Sequence, residues 1–294
     1  MQVSIIIINL NRFKLTCDCI RSIKQCTKDV LYEIILVDNA STECDPEQFK
    51  KEFPEVVLIK SEKNGGFANG NNLGIGKSNG EFILLLNNDT VFQEDSISKS
   101  LSYFQGQSNV GVLSCRMVYP DNKVQYTVRR FRSIGWELLD LFRFIPFMMS
   151  YKKRSKKMLG KYFRHDMNVG CDWVNGAFFL FSKKILEELP GKRLDDRFFM
   201  YGEDQLWCEQ IKNLGHRILF FAESTIIHIG SGSVNTSAQL RFRKTMMKHE
   251  LEIMQLRKGK GLYYYVFAVI YVSKESVRNF IKGIVLGLSG KMLR

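Results

Sequence analysis

The sequence predicts an α/β fold, a mostly parallel sheet flanked by helices and followed by a helical C-terminal extension. Three observations carry this reading. Short, continuous runs of apolar and often β-branched residues recur early in the chain, as expected of strands buried on both faces of a parallel sheet. Helical or polar stretches alternate with them, and polar residues collect just past the strand ends, the edge where open α/β sheets bind ligands. Beyond about residue 110 the alternation weakens, and basic residues mixed with aromatic ones become frequent.

Taken in order, Val3 to Ile8 is the first buried strand and residues 13–27 form a helix. A second strand, Ile34 to Val37, ends at Asp38, and a third, Val56 to Ile59, precedes the glycine-rich stretch Asn64 to Gly76. The strand Phe82 to Leu86 runs into Asn87-Asn88-Asp89. Residues 129–164 read as a basic and aromatic insertion, and Phe178 to Phe181 as a core strand. From Glu203 to Leu214 a helix is predicted, because Trp207, Ile211 and Leu214 fall at i, i+4, i+7 and Gly215 supplies a C-terminal stop. The strand Arg217 to Ala222 then leads toward His228. This organisation predicts a catalytic domain over 1–235, carrying the insertion, and a C-terminal helical region over 236–294.

An apolar fraction of 45% and a charged fraction of 25% over 294 residues are ordinary for a globular chain and argue against disorder. The net charge of +13, from 43 Lys+Arg against 30 Asp+Glu, favours polyanionic partners: nucleic acid, anionic lipid or phosphorylated ligands. Arg129, Arg130, Arg132, Lys152, Lys153, Arg154, Lys156, Lys157, Lys161 and Arg164 crowd one segment, and a second set runs from Arg241 to Arg294. Both are interleaved with Phe, Met, Leu and Tyr. That mixture reads as an anionic membrane surface rather than nucleic acid, with a solvated charged face as the plainer alternative. The apolar run Leu262 to Val272 is shorter than the roughly 20 residues a spanning helix needs, so an interfacial helix is predicted, or one docked on the protein's own core. Seven scattered cysteines without a C-x-x-C pair argue against a disulfide framework or a zinc site. No signal peptide is read at the N-terminus, and the expected location is cytoplasmic, peripheral at the inner face of the cell membrane.

The chemistry-bearing residues lie at the predicted strand ends. Asp38, in Val-Asp-Asn-Ala-Ser, reads either as an acceptor for a ribose or pyrimidine nitrogen or as turn and cap chemistry. In Asn64 to Gly74, four glycines are expected to let backbone approach a ligand closely, while Asn69, Asn71 and Asn72 add donors and acceptors. Neither a P-loop Gly-Lys-Ser/Thr nor a G-x-G-x-x-G spacing is present, which removes support for ATPase and dehydrogenase readings. Asp89 is placed to hold a divalent cation bridging two phosphates, or is a turn aspartate. Further acids follow at Asp195-Asp196 and at Glu203-Asp204, and His228 sits in a Gly/Ser-rich stretch where it is expected to be free to coordinate metal.

In order, Asn9-Leu10-Asn11-Arg12, Val37 to Ser41, Asn64 to Gly74, Asn87-Asn88-Asp89, Gly176-Ala177, Phe198 to Asp204 and His228 with Gly230 and Ser231 resemble the family 2 glycosyltransferases of GT-A fold, in particular a bacterial rhamnosyltransferase-like branch. The resemblance covers most of residues 3–232. It implies an inverting, metal-dependent glycosyltransferase taking a sugar, with rhamnose the candidate the branch suggests, from a nucleotide-diphosphate donor to a lipid-linked or oligosaccharide acceptor in cell-surface glycan synthesis. The implied donor-site residues are Asn9, Asn11, Arg12, Asp38, Asn64, Gly65, Gly66, Phe67, Asn69, Asn72, Asn88 and Gly176. Asp89 and His228 are the implied metal ligands for Mn2+ or Mg2+, with imidazole favouring Mn2+. Asn87 stands where a full D-x-D element would carry its first aspartate.

The resemblance gives the base role to the pair Glu203-Asp204. Of the two, Asp204 is expected to be the base and Glu203 a supporting residue: both lie in a first helical turn, where the helix dipole favours the ionised form, and Asp is the shorter arm. Two other classes stay open, a sugar nucleotidyltransferase and a non-catalytic polyanion- or lipid-binding protein. The first usually shows an early Gly-rich, basic loop that is not found after Ile8. Against the second stand the acids and His228 together.

Overall fold

The computed structural model describes residues 2–230 and 236–291, with side chains described at 2–230 and 242–281. Of the residues singled out above, Ser231, Arg294 and the side chain of Arg241 lie outside the described residues.

The elements of the first part are β1 (Val3–Asn9), α1 (Phe13–Cys26), β2 (Tyr32–Asp38), α2 (Glu47–Glu52), β3 (Val57–Lys60), α3 (Gly66–Ile75), β4 (Phe82–Asn87), β5 (Thr90–Phe92), α4 (Ser96–Gln105) and β6 (Val110–Val118). They continue with β7 (Val128–Arg129), α5 (Ile134–Leu141), α6 (Phe144–Met148), α7 (Tyr151–Met158), β8 (Val169–Cys171), β9 (Trp173–Val174), β10 (Phe178–Ser182), α8 (Ile185–Glu188), α9 (Glu203–Asn213), β11 (Arg217–His228), α10 (Thr236–Lys258) and α11 (Leu262–Lys291).

The main sheet has the strand order β3-β2-β1-β4-β10-β6-β11-β5, with β8 against β11. Strands β3, β2, β1 and β4 are mutually parallel, and β10 enters antiparallel between β4 and β6. Parallel strands buried on both faces explain the unbroken apolar runs. Ile5 and Ile7 join a core with Cys17, Ile20 and Ile23 of α1, Phe49 of α2 and Leu101 of α4. The opposite side chains, Ile6 and Ile8, meet α3, where a β-carbon at Gly74 would stand 2.4 Å from Ile6 Cγ2 and one at Gly70 would stand 2.9 Å from Ile8 Cδ1.

That packing corrects one expectation. The glycine-rich stretch is mostly a helix, and Gly70 and Gly74, four residues apart on one face, bring it close to β1 rather than bringing backbone to a ligand.

By contacts the chain divides into two compact units, residues 1–130 with 155–232, and residues 131–154 with 233–294. The predicted insertion is therefore shared: its central part, with α5 and α6, belongs with the C-terminal helices. The apolar centre of the second unit is built from Met254 of α10 and Phe267 and Tyr271 of α11, with Ile134 of α5 packed against them.

Candidate active site

Strand register places the first group of polar residues. Asn9 lies opposite Asp38 in the β1–β2 pairing, and Asn87 follows one step on in the β1–β4 pairing opposite Ile8. All three therefore end at the C-terminal edge of the parallel strands. Asn9 is buried and donates from Nδ2 to Asp38 Oδ2 at 2.8 Å and to Ser41 Oγ at 3.0 Å, and its Oδ1 accepts from Thr16 at 2.9 Å. Thr16 Oγ1 in turn accepts from Asn88 Nδ2 at 2.9 Å. The main-chain N–H of Ser41 closes on Asp38 Oδ1 at 2.9 Å. A single chain of hydrogen bonds thus fixes the Asp38 carboxylate and ties it to the Asn87–Asp89 turn.

A second group is the Asn64–Phe67 turn. Asn39 Nδ2 donates to Asn64 Oδ1 at 2.9 Å, and Asn39 Oδ1 accepts from the Gly65 N–H at 3.1 Å. Gly66 has φ +81°, and a β-carbon there would stand 2.1 Å from the carbonyl oxygen of Phe199, so only glycine fits. Phe67 donates its N–H to that same carbonyl at 3.0 Å. Asn69 folds its amide over Gly65, 2.3 Å from where a β-carbon would be.

Two further predicted donor-site amides, like those of Asn9, Asn64 and Asn88, have partners within the fold. Asn72 exchanges a reciprocal pair with the backbone of Leu194, at 2.8 and 3.1 Å, and Asn11 accepts through Oδ1 from the N–H groups of Thr42 and Glu43 at 2.7 and 3.0 Å. Arg12 is exposed at the start of α1.

The third group surrounds His228. This residue is the last of β11, opposite Thr90 in the β11–β5 pairing, and its side chain is largely covered. The expectation of a free loop histidine is corrected: the strand runs six residues further than predicted, past a register shift between Phe221 and Thr225. Nδ1 of His228 lies 2.8 Å from Gln125 Oε1, while Gln125 Nε2 donates to the His228 carbonyl at 2.5 Å. A carbonyl can only accept, so the amide orientation of Gln125 is fixed. Its Oε1 must accept from Nδ1–H, which turns Nε2 toward the Asn87–Asp89 turn.

Nε2 lies 3.3 Å from Asn87 Nδ2 and 3.1 Å from Asp89 Oδ1. Asp89 Oδ1 is buried and finds no hydrogen bond of proper geometry, despite the short approach to the ring nitrogen. Burial would push the Asp89 carboxyl up, but His228 and the N–H groups of Asp89 and Gly230 hold it below its ordinary value.

A divalent cation fits here. A buried carboxylate oxygen and an imidazole nitrogen converge here, a donor set that suits a divalent cation. Among the described residues no cluster of three or more His, Cys, Asp or Glu side chains could hold a metal ion.

The fourth group is the acidic pair. Gly202, at φ +98°, precedes α9, and Tyr201 before it also has positive φ at +72°. This turn sets Asp204 against Gly176, whose N–H donates to Asp204 Oδ2 at 3.1 Å, while the Gln205 N–H donates to Oδ1 at 2.8 Å. Gly176 is wedged between Asp204 and the Phe67 ring, which stacks on Trp207 with centroids 6.1 Å apart.

Asp204 keeps partial exposure, whereas Glu203 is buried and its Oε2 has no partner. Burial, and then the neighbouring Asp204, push the Glu203 carboxyl up to about 8. Burial also raises Asp204, against the backbone N–H groups of Gly176 and Gln205 and the charge of Arg129. The expectation that the helix start would favour the ionised acids is thus corrected, because desolvation outweighs the dipole.

Sequence reasoning missed Thr16 and Gln125. Thr16 lies on a helix face that shows no pattern until it packs on β1. Gln125 falls in a segment without a motif, and nothing in the sequence connects it to a histidine 103 residues away.

Comparison with known proteins bears on the family and the fold. Residues 4–189 match the model of Glycosyl transferase family 2. The chain is similar to the uncharacterized glycosyltransferase YwdF of Bacillus subtilis, 27% identical over 275 residues that span 90% of this chain and 98% of that one. It is also similar to the O-antigen biosynthesis protein RfbC of Myxococcus xanthus, at 23% identity over 81% of this chain and 18% of that protein.

Among solved structures, the mannosyltransferase PcManGT from Pyrobaculum calidifontis, in complex with GDP-Man and Mn2+, superposes with a TM-score of 0.59 at 16% identity, covering 92% of this chain and 69% of that one. Residues 1–349 of S. aureus TarS give 0.54 at 14%, covering 92% and 71%. At these identities the structures speak for the fold alone, a GT-A-like mixed α/β sheet flanked by helices. With the family match running through more than half of the chain, from β1 past β10, the protein belongs to Glycosyl transferase family 2 and is an enzyme of glycosyl transfer.

Proposed function

We propose that the chain is a metal-dependent, inverting glycosyltransferase that moves a sugar, with rhamnose the first candidate, from a nucleotide-diphosphate donor to a lipid-linked or polysaccharide acceptor in cell-surface glycan synthesis. The observation that carries the reading is the convergence at one sheet edge of a fixed Asp38 carboxylate and the Asp89–His228 pair, with the Asn9–Thr16–Asn88 chain joining them. The neighbouring protein PcManGT, described in complex with GDP-Man and Mn2+, and the name of RfbC, an O-antigen biosynthesis protein, support the donor class and the acceptor class respectively.

In this reading Asp38 accepts hydrogen bonds from the nucleoside, and Asp89 and His228 hold a divalent cation. When bound, that ion supplies positive charge beside the diphosphate as the sugar–oxygen bond breaks. Asp204, fixed by the Gly176 N–H and partly exposed, takes the proton of the acceptor hydroxyl. Its raised pKa moves it toward the range in which a general base is effective. Glu203, deeper and protonated at neutral pH, supports the loop. Direct displacement then inverts the anomeric centre, because no second nucleophile is required.

A screen of nucleotide-sugars with and without Mn2+ by thermal shift identifies the donor by mass action. Wild type should be stabilised only by the combination. Asp89→Ala should lose that stabilisation, and Asp204→Asn should keep it while its kcat falls by about 10²–10⁴. Full turnover in Asp204→Asn, or an undiminished metal-dependent shift in Asp89→Ala, would remove the assignment concerned.

A further inference from the structure

In the second unit, residues 131–154 with 233–294, an ionic cluster is buried while many large apolar side chains stand outside. On α11, Phe267, Tyr271 and Lys274 fall at i, i+4, i+7 and are buried. The Lys274 side chain is only 3% exposed and donates to Glu137, and to Asp140 at 2.9 Å, both carboxylates being fully covered. Arg132 meets Glu137 at 2.7 Å and Glu250 at 3.5 Å, and Arg278 meets Asp140 at 2.7 Å. The opposite side of α11 carries Leu262, Tyr265, Val269 and Phe280 toward solvent, with Leu262 81% and Phe280 70% exposed. From Leu262 to Ser273 the helix has no charged residue. The same inversion occurs on α5 and α6, where Glu137 and Asp140 are buried while Phe144 and Met148 are exposed at 63% and 83%.

In water this arrangement is unfavourable twice, since ions must be stripped of their hydration to be buried and a helix normally turns its apolar stripe inward. It suits a helix whose outer face lies in hydrocarbon, where ionisable groups point inward and pair. Among the described residues no helix is long and apolar enough to cross a membrane, so the face must lie along a surface.

Charge selects the surface. The five acids with described side chains in this unit, Glu137, Asp140, Glu250, Glu252 and Glu275, are all buried or half-buried, and every exposed charged side chain is basic. Arg143 sits between Phe142 and Phe144, Lys152 and Lys153 follow Met148, and Lys258 and Lys260 precede Leu262. A second copy of the chain would bring the same basic residues against each other.

We infer that the exposed face of α5, α6 and α11 inserts into the boundary between headgroups and acyl chains of an anionic bilayer, with Lys274, Glu137 and Asp140 paired inside the unit so that the inserted face stays apolar. The inference rests on this unit alone and is independent of the donor chemistry.

The test is flotation of the full chain with vesicles of phosphatidylcholine alone or mixed with phosphatidylglycerol. Wild type should float with the anionic vesicles, and Lys258→Glu with Lys260→Glu should weaken that preference. Phe144→Ser with Phe280→Ser should lower partitioning at least about tenfold, the scale of removing two buried aromatic side chains from an apolar medium. Brominated lipids should quench the indole introduced by Phe280→Trp beyond the quenching of the wild-type tryptophans, a readout that holds even if the serine variants fail to fold. No flotation, equal flotation on both vesicle types, or an indole shielded only through self-association seen by sedimentation would overturn the inference.

Discussion

Buried acids are treated in opposite ways by the two units. In the helical unit Glu137 and Asp140 are covered completely, yet each faces cations: Lys274 and Arg132 for the first, Lys274 and Arg278 for the second. In the sheet unit Glu203 is buried with Oε2 unpartnered, and Asp89 presents a buried Oδ1 that no hydrogen bond satisfies. A satisfied network fixes structure, whereas an unsatisfied one is held in place by the rest of the fold and marks where chemistry is done. The second unit therefore reads as a built scaffold and the sheet edge as a site waiting for charge.

The comparison breaks most sharply at Lys274. Replacing it by methionine leaves two carboxylates buried beside each other, and removing one partner of a buried ionic cluster costs about 3–5 kcal/mol. The helical unit of Lys274→Met should unfold at lower denaturant than wild type, followed by circular dichroism. Adding Glu137→Gln and Asp140→Asn should return most of the loss. If Lys274→Met alone is neutral, the cluster is not compensating these acids.

On the sheet side the sharper probe is Gln125, which dictates the tautomer of His228. In Gln125→Leu nothing accepts the Nδ1 proton, and the ring is free to turn or to protonate Nε2 instead. Mn2+ affinity should fall about 10–100-fold, the usual scale for losing a partner that orients a metal-bound histidine. Titration of Mn2+ followed by the electron paramagnetic resonance of the free ion measures this without any turnover. Unchanged affinity would mean that His228 does not ligate through Nε2.

These two probes also show what could be read from sequence. The strand ends at Asp38 and Asp89 were legible because a parallel strand writes its burial as an unbroken apolar run and must stop where polarity begins. The pairing of Asp89 with His228 was expected only through resemblance, and its geometry, with His228 inside β11, depends on a register shift that no local pattern announces. Gly70 and Gly74 were misread because glycine for close helix–strand packing looks the same as glycine for a ligand-binding loop. In the helical unit the mixture of basic and apolar residues was visible, but Lys274 and Glu137, 137 positions apart, give no sign in sequence that they face inward together.

The smallest effect separates an uncompensated acid from a compensated one by pH. The folded-state pKa of Glu203 is raised from an ordinary 4.5 to about 8 by burial first and by Asp204 second. A raised folded pKa means that the native state holds a proton the unfolded chain releases. The stability tied to that proton is complete below about pH 4.5 and is lost as pH rises to about 8. Glu203→Gln cannot ionise, so it should become progressively more stable than wild type across that window and keep a constant margin above it. Water entry and local relaxation return much of the desolvation cost, which makes the expected margin on the order of 1 kcal/mol. Denaturant midpoints of wild type and Glu203→Gln at several pH values across the window decide it. Glu137 gives the contrast: it pairs with Lys274 and Arg132, so Glu137→Gln removes one partner of a buried ionic cluster and should lose stability where Glu203→Gln gains it. Parallel behaviour of the two variants would mean that both acids are compensated, and the difference between the units would disappear.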